Sequence, residues 1–308
     1  MKNKSKALLG LAGAGALTGA ALFTEELYRY MFCRGSSPLF EKLFDSKGHC
    51  EEYYQWRDEA AQRLRQAPHE EYTIRSARAN DLRGYYYPCG SGGKTVAFLV
   101  HGYRSSAMET GGMFYDYYKS RGIDFFCADH TASGGSQGHF IGFDVFETQD
   151  CLMWLDFLRC KCGEDVQIIL HGFSMGAATV MQMSSHCPPN VKFIVEDSGY
   201  RSAKASLWHQ VGPMYGPMRM VNRVVAGYDL KDSDVTESLA ASRIPMLFVH
   251  GQEDKLVPFE NGPMLYDLYQ GPKASLFAPD TRHIETMFTS PEAYAQKLDA
   301  MVSAYIQK

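Results

Sequence analysis

The sequence lacks the features of nucleic-acid-binding, repeat and disordered proteins. Its formal net charge is −4, and no basic patch is interleaved with aromatic residues, so nothing indicates a nucleic-acid partner. No internal repeat or low-complexity tract occurs beyond the N-terminus. A composition that is 45% hydrophobic and 21% charged over 308 residues is that of an ordinary folded protein. Such a chain can bury a full core as one large α/β domain or two small ones.

The sequence also lacks a metal-binding arrangement of cysteines. Among its eight cysteines, Cys160 and Cys162 stand close together, but no second pair completes the spacing of a zinc site. An even count would permit disulfides in an oxidising compartment, yet Cys127 falls in a predicted core strand and Cys151 on a predicted helix face. We therefore expect scattered buried thiols, and neither a metal ion nor a cofactor.

No apolar run reaches the usual length of a membrane-spanning helix. The uncharged run from Ala7 to Phe23 is rich in glycine and alanine and follows Lys2, Lys4 and Lys6. This layout is typical of a signal anchor, which we favour for residues 1–23, or of a cleaved signal peptide; a soluble helix packed on the domain is the third alternative. The lysines favour a cytoplasmic N-terminus for an anchor. We thus expect a membrane-anchored or secreted protein rather than a cytoplasmic one.

Residues 24–70 are predicted to form a helical lead-in to the main domain. The stretch from Ser37 to Gln66 has the pattern of a partly amphipathic helix. Two strand-like runs, Glu71–Arg75 and Leu82–Tyr87, flank a turn signal at Asn80-Asp81 and predict an antiparallel hairpin. We place the main domain at residues 71–308.

From Thr95 onwards, strand and helix patterns alternate. The strand-like runs are almost continuously apolar, which indicates strands buried on both faces of a parallel sheet. Together with the hairpin, this predicts an α/β fold with a mostly parallel central sheet and helices on both faces. The predicted strands are Thr95–Val100, Asp124–Ala128, Val166–Leu170, Val191–Val195, Pro245–Val249 and Ala274–Phe277. The predicted helices are Met113–Arg121, Asp144–Cys160, Ala177–His186, Gly262–Tyr269 and Pro291–Ile306.

One interval, before the strand at Pro245, is too long for a simple connection. It contains many large apolar residues that need a surface to cover. We predict a small helical cap inserted at about 200–243 over the active edge of the sheet. A longer crossover helix with its own packing is the alternative.

The motif Gly172-Phe173-Ser174-Met175-Gly176 lies between a predicted strand and a predicted helix. A serine flanked by glycines at such a tight turn is typical of a nucleophile elbow, where bulky neighbours would collide with adjacent backbone. The segment Gly134–Gly138 fits the same pattern around Ser136, but no helix pattern begins there. We interpret that second copy as a glycine-rich surface loop.

An acid and a histidine follow two other predicted strands. Because ligands bind at the carboxyl ends of parallel strands, Asp254 and His283 are expected at the same edge as Ser174. In a catalytic triad, Ser174 would be the nucleophile, His283 the base that takes its proton, and Asp254 the acid that orients the imidazole. Asp197 is the less favoured candidate for the acid. We assign the oxyanion-hole donors to the backbone amides of Tyr103 and Met175.

These motifs resemble those of the α/β-hydrolase superfamily from about Tyr72 to the C-terminus. They are most similar to bacterial serine-aminopeptidase-like and dienelactone-hydrolase-like hydrolases, which often carry an N-terminal hydrophobic segment. The resemblance implies the α/β-hydrolase fold and the same chain order of serine, acid and histidine. The matching segments are His101-Gly102-Tyr103, Asp129 with Gly135–Gly138, His171–Ala177, Glu196–Tyr200 and His250–Pro258.

We therefore expect a serine hydrolase that cleaves carboxylic esters through an acyl-enzyme. An apolar cap favours a small to medium apolar acyl or alcohol group, so the expected partner is a small-molecule ester. The same triad can serve a peptidase, a lactonase, a thioesterase or an acyltransferase, and fold similarity does not decide among these. A non-catalytic, membrane-tethered binding protein on a hydrolase scaffold is the alternative from another class.

Overall fold

The computed structural model of the chain describes residues 22–35 and 49–307. Nearly all of the predicted anchor or signal segment lies outside these residues, and so does the first part of the predicted lead-in helix that starts at Ser37. In the two described ranges, no helix combines the length and the apolar character needed to cross a membrane.

Within these ranges, eight strands form a single sheet. The strands are β1 (Glu70–Arg75), β2 (Asp81–Tyr87), β3 (Thr95–Val100), β4 (Asp124–Ala128), β5 (Gln167–Phe173), β6 (Val191–Asp197), β7 (Met246–Gly251) and β8 (Lys273–Ala278). Their order is β1-β2-β4-β3-β5-β6-β7-β8. β2 pairs antiparallel with β1 and β4, and all other neighbours pair parallel. The predicted mixed, mostly parallel sheet is thus confirmed.

Helices cover both faces of this sheet. They are α1 (22–32), α2 (Glu51–Gln66), α3 (Ala107–Ser120), α4 (Val145–Cys162), α5 (Met175–Met183), α6 (Ala203–Val211), α7 (Tyr215–Val225), α8 (Thr236–Ala241), α9 (Asn261–Leu268), α10 (Thr286–Thr289) and α11 (Pro291–Tyr305).

The central strand β3 shows why its sequence is continuously apolar. Its side chains alternate between two cores: Phe98 packs in the one that contains α1, α4 and α5, and Leu99 in the one that contains α2, α3 and α11. All six residues of β3 are buried, as expected for a strand covered on both faces.

The strands β5 to β8 all extend past their predicted C-terminal ends, and the added ends of β5 and β6 carry polar residues. β5 continues to Phe173 instead of Leu170, and β6 continues to Asp197. The ladder between them persists through the pair Phe173 and Asp197. An apolar pattern predicts such strands to end too early. Backbone pairing continues past the last apolar residue, because it does not depend on the polar side chains that approach the site.

Helix α3 begins at Ala107, six residues before the predicted start. Ser106 caps it by accepting a hydrogen bond from the amide of Glu109, the serine-to-glutamate spacing of a capping box. Gly112 lets α2 pack backbone to backbone on α3, since a Cβ there would lie 2.6 Å from the carbonyl carbon of Ala60. The capping signal was present in the sequence, but apolar periodicity alone placed the start too late.

Three α-helices, α6 to α8, fill the interval between β6 and β7 where the sequence predicts a cap. The apolar residues of this segment divide into two groups. Tyr215 and Met218 are buried in the core, whereas Trp208, Met220 and Val224 are exposed by 51%, 69% and 85%. Covering the sheet therefore accounts for only part of the apolar character of the segment.

Candidate active site

Ser174 occupies a strained turn between β5 and α5. Its backbone has φ 54° and ψ −115°, a combination that L-residues rarely adopt. The flanking glycines are required sterically, because a Cβ at Gly172 would lie 2.2 Å from the carbonyl oxygen of Gly176, and one at Gly176 would lie 2.1 Å from that of Val100. The amide of Ser174 donates to the carbonyl of Asp197 at 2.8 Å, which fastens the turn to β6. These contacts hold the side chain at the carboxyl edge of the sheet.

Asp254 and His283 meet at the same edge. The imidazole Nδ1 of His283 lies 2.6 Å from Oδ2 of Asp254, and both residues are buried. The amides of Leu256 and Val257 donate to Oδ1 of Asp254, each at 2.9 Å. Nε2 of His250 approaches Oδ2 at 3.3 Å. Asp254 is thus an ionised carboxylate held by four donors and well placed to orient an imidazole.

The electrostatics of this cluster favour a charged Asp254. Burial alone would raise its pKa, but the charge and hydrogen bonds of His283 and His250 outweigh burial and hold the pKa well below its usual range. Burial opposes a charged His250, yet its hydrogen bond to Asp254 leaves the pKa of His250 above the ordinary value. A stable anion beside His283 is what a base needs when it becomes an imidazolium.

Short links through β6 hold the histidine loop close to Ser174. The amide of Ile284 donates to Oγ of Ser198 at 3.3 Å, one residue after the carbonyl that anchors Ser174. In the described part of the chain, no hydrogen bond joins Oγ of Ser174 to His283. Catalytic hydrogen bonds are often long in a substrate-free site and tighten when substrate binds. The structure therefore brings Asp254 and His283 into contact and places Ser174 at the same edge of the sheet, after another parallel strand.

The alternative acid, Asp197, has other partners. Its Oδ2 accepts from the hydroxyl of Tyr294 at 3.0 Å, and its Oδ1 accepts from Oγ of Ser198 at 2.9 Å. Burial raises its pKa to about 6. Because its hydrogen bonds come from hydroxyl groups and not from His283, the geometry favours Asp254 as the orienting acid.

Two backbone amides near Ser174 are free to bind an oxyanion. A Cβ at Gly102 would lie 3.2 Å from Cβ of Ser174, so the loop that carries Tyr103 passes directly beside the serine. Met175 is the first residue of α5, where backbone amides have no partner inside the helix. Among the described residues, neither the Tyr103 nor the Met175 amide has an acceptor.

Ser174 opens into a pocket of about 530 Å³. The helix α1 contributes Tyr30 and Met31 to its wall, a contribution that the sequence did not predict. A larger cavity of about 770 Å³ between α1 and α7 contains none of the candidate catalytic residues. The Ser174 pocket is lined by Tyr30, Met31, Tyr103, Arg104, Phe143, Ser174, Tyr200, Ser206, His209, Gln210, Lys255, Leu256 and Val257.

The second serine motif has a structural role. Ser136 is buried, accepts a hydrogen bond from the amide of Arg83 at 2.9 Å and donates to the carbonyl of Asp129 at 2.6 Å. The segment is a loop with exposed glycines, as predicted, and Ser136 fastens it to β2 and to the end of β4. Its hydroxyl is held by backbone groups, which leaves it no role as a nucleophile.

The cysteines and the possible metal ligands among the described residues add no group to the candidate site. All eight cysteines are free thiols, some buried, such as Cys127 and Cys151, and one exposed, Cys160. Over the described ranges, no group of three or more His, Cys, Asp or Glu side chains is arranged to hold a metal ion.

Two family models match the chain in overlapping regions that together contain the candidate site. The model described as "Serine aminopeptidase, S33" matches residues 93–200, which include Ser174. The model described as "Serine hydrolase (FSH1)" matches residues 164–284, which include Ser174, Asp254 and His283.

Curated relatives and solved structures agree with this match. YqkD of Bacillus subtilis, an uncharacterized protein, is 23% identical over 221 residues, which are 69% of this chain and 72% of the relative. The esterase Pf2001 of Pyrococcus furiosus has a TM-score of 0.65 at 18% identity and covers 80% of this chain and 95% of its own. Est1E of Butyrivibrio proteoclasticus, solved with ferulic acid bound, has a TM-score of 0.59 at 16% identity and covers 75% and 99%. At these identities, the structural likeness shows the fold.

Proposed function

We propose that this chain is a serine hydrolase of the α/β-hydrolase superfamily that cleaves carboxylic esters, with Ser174, His283 and Asp254 as its catalytic triad. The observation that carries this proposal is the convergence of three distant segments at one edge of the sheet. Ser174 is presented at a sterically enforced turn and lines a pocket, while Asp254, after another strand at the same edge, holds His283 at 2.6 Å. The amides of Tyr103 and Met175 supply the oxyanion hole.

The reaction follows from the chemistry of these groups. His283 takes the proton of Ser174 as the serine oxygen attacks the ester carbonyl, and the carbonyl oxygen becomes an oxyanion held by the two amides. Losing one such donor costs about 3 kcal/mol of the barrier. His283 then protonates the leaving alcohol, which leaves an acyl-enzyme. Water, activated by the same imidazole, attacks the acyl carbon and releases the carboxylic acid and the free serine.

The walls of the pocket support an ester with an apolar part. Met31, Phe143, Leu256 and Val257 line it together with three tyrosines. A peptide with a free amino terminus is a less suitable substrate, because no aspartate or glutamate is among the residues that line this pocket. Such a carboxylate would normally hold the ammonium group. Thioesters and acyl transfer to another acceptor use the same triad and stay open as outcomes of a substrate panel.

The test is turnover of short p-nitrophenyl esters by two serine variants. Ser174→Ala is expected to lose activity while keeping the wild-type circular dichroism spectrum. Ser136→Ala removes the serine of the second motif and is expected to keep turnover, with a modest loss of stability from its buried hydrogen bonds. Full activity in Ser174→Ala would refute the assignment and revive the non-catalytic alternative.

We further propose that residues 1–23 act as a signal anchor and place the catalytic domain outside the cytoplasm. The lysines before the uncharged run support this orientation. Leu22 and Phe23, at the start of the described part, are exposed apolar side chains, by 58% and 51%, at the end of α1 that overlaps the uncharged run in the sequence. Membrane fractionation of the full chain tests it: retention in washed membranes at full length supports an anchor, and recovery in the soluble fraction contradicts it.

A further inference from the structure

The pocket beside Ser174 has an unbalanced charge. Arg104, Lys255 and His209 line it, and no aspartate or glutamate does. This contrasts with the whole chain, in which 35 acidic residues outnumber 31 lysines and arginines. An excess of positive charge in a concave site raises the local concentration of anions.

Lys255 is held beside the catalytic carboxylate without pairing to it. The amides of its neighbours Leu256 and Val257 both donate to Asp254, which fixes the backbone around Lys255. Asp254 already has His283 and His250 as partners. The side chain of Lys255 is exposed, and it has no hydrogen-bond or ion-pair partner in the described residues. Its charge is therefore available to a ligand in the pocket.

Arg104 adds a second positive charge to the same pocket. Its guanidinium donates to the carbonyls of Tyr30 and Cys33 at the end of α1, and its Nε donates to the Tyr103 hydroxyl at 2.9 Å. Within the described ranges, no carboxylate pairs with it. Carbonyl oxygens satisfy its donors, and the helix end offsets only part of its charge. Arg104 is thus a cation that hydrogen bonds hold in place, whereas Lys255 is the cation that is available to a ligand.

We infer that this site takes esters that carry a second, anionic group, a carboxylate or a phosphate, which Lys255 binds at the pocket mouth while the apolar walls hold the rest of the substrate. This inference rests on the proposed function and names its substrate class. His209 and Gln210, on α6 at the same mouth, offer additional hydrogen-bond donors to such a group. Phe143 and Leu256 supply the apolar surface between that group and the reacting carbonyl.

Matched pairs of esters test the inference. Mono-p-nitrophenyl adipate and p-nitrophenyl hexanoate share chain length and leaving group, and they differ in a terminal carboxylate on the acyl side. Hexanoyl-glycerol phosphate and hexanoylglycerol differ in a phosphate on the alcohol side. We expect the wild-type kcat/KM to favour the anionic member of at least one pair by about fivefold or more. We also expect added salt to reduce that preference. The pair that shows it locates the anionic group on the acyl or the alcohol side.

The variant Lys255→Gln separates charge recognition from catalysis. It is expected to lower kcat/KM for the anionic ester about fivefold more than kcat/KM for the neutral ester. Lys204→Gln is the matched control, because Lys204 is exposed on α6 but does not line the pocket. Equal turnover of both members in both pairs, or an equal effect of Lys255→Gln on charged and neutral esters, would overturn the inference. In that case, loss of all turnover in Ser174→Ala would still uphold the triad.

Discussion

Asp254 is the residue at which most of the candidate site converges. One carboxylate accepts from His283, His250 and two backbone amides. Such an anion can both fix the tautomer of His283 and stabilise the imidazolium. An uncharged amide at the same position would keep the shape but lose the charge, and it would present either the wrong donor or a weaker acceptor to Nδ1.

We therefore predict that Asp254→Asn lowers kcat about 10⁴-fold with little change in KM. Asp197→Asn is the matched comparison, because Asp197 is also a buried aspartate at a strand end but is bonded by hydroxyls. It should affect kcat far less. Steady-state kinetics on one ester decides between them, and a larger loss in Asp197→Asn would reverse the assignment of the acid.

His250 is a positioning residue that sequence reasoning did not single out. Its Nε2 lies 3.0 Å from the carbonyl of Val257 and 3.3 Å from Oδ2 of Asp254, and its side chain is fully buried. It competes with His283 for the same carboxylate oxygen. Removing this competitor should strengthen the interaction between Asp254 and His283.

We predict that His250→Gln shifts the acidic limb of the kcat/KM profile upward by roughly a few tenths of a pH unit. His186→Gln, which changes an exposed histidine far from the pocket, should leave the profile unchanged. If neither limb of the kcat/KM profile moves in His250→Gln, the role of His250 is purely structural.

At the scale of elements, a buried acidic cluster joins the start of α4 to the segment between β6 and β7. Asp144 accepts from Oγ of Thr179 on α5 at 3.1 Å and from Oγ of Ser233 at 2.9 Å. Glu147, one turn on, accepts from the amide of Gly142 at 2.8 Å. Burial, with the nearby charge of Asp144, raises the pKa of Glu147 to about 8, and burial raises that of Asp144 to about 7.

The sign of the resulting pH dependence follows from these raised values. A carboxyl whose pKa is higher in the folded state than in the unfolded state binds its proton more tightly when folded. The stability it contributes is complete below its ordinary pKa and is lost as the pH rises through the folded value. The stability that the cluster contributes should therefore be lost between about pH 4 and about pH 8.

We predict that Glu147→Gln flattens this loss by several kcal/mol, because an amide does not titrate and each unit of a raised pKa corresponds to about 1.4 kcal/mol. Urea denaturation midpoints of the wild type and the variant across that pH range provide the measurement. Glu237→Gln, at an exposed position on α8, should reproduce the wild-type curve. Parallel curves for the wild type and Glu147→Gln would show that Glu147 ionises normally in the folded protein.

Elements differ in how well sequence patterns anticipate them. The inner strands were placed closely because burial on both faces demands continuous apolar runs, as in β3 and β4, whose predicted bounds match the structure. Strand ends were less well placed where β5 and β6 carry polar residues towards the site. The start of α3 was missed because it depends on a cap at Ser106, not on periodicity.

At the scale of the whole molecule, the candidate catalytic residues could be predicted from the sequence because the topology of the sheet brings the ends of its strands together. Ser174, Asp254 and His283 each follow a strand, so local patterns placed them at one edge. The residues that line the pocket could not be predicted in this way. Tyr30 and Met31 line the pocket where Tyr103 and Arg104 bind the end of α1, through contacts between residues 71 to 74 positions apart. No periodicity encodes such a contact.

The catalytic triad is tested most directly by covalent labelling of the full chain with an alkyl fluorophosphonate, followed by mass spectrometry of the modified peptide. We predict one adduct, on Ser174, that is absent in Ser174→Ala and forms at least about 100-fold more slowly in His283→Ala. An adduct on any other residue, or labelling of Ser174 at the wild-type rate without the imidazole, would contradict the triad.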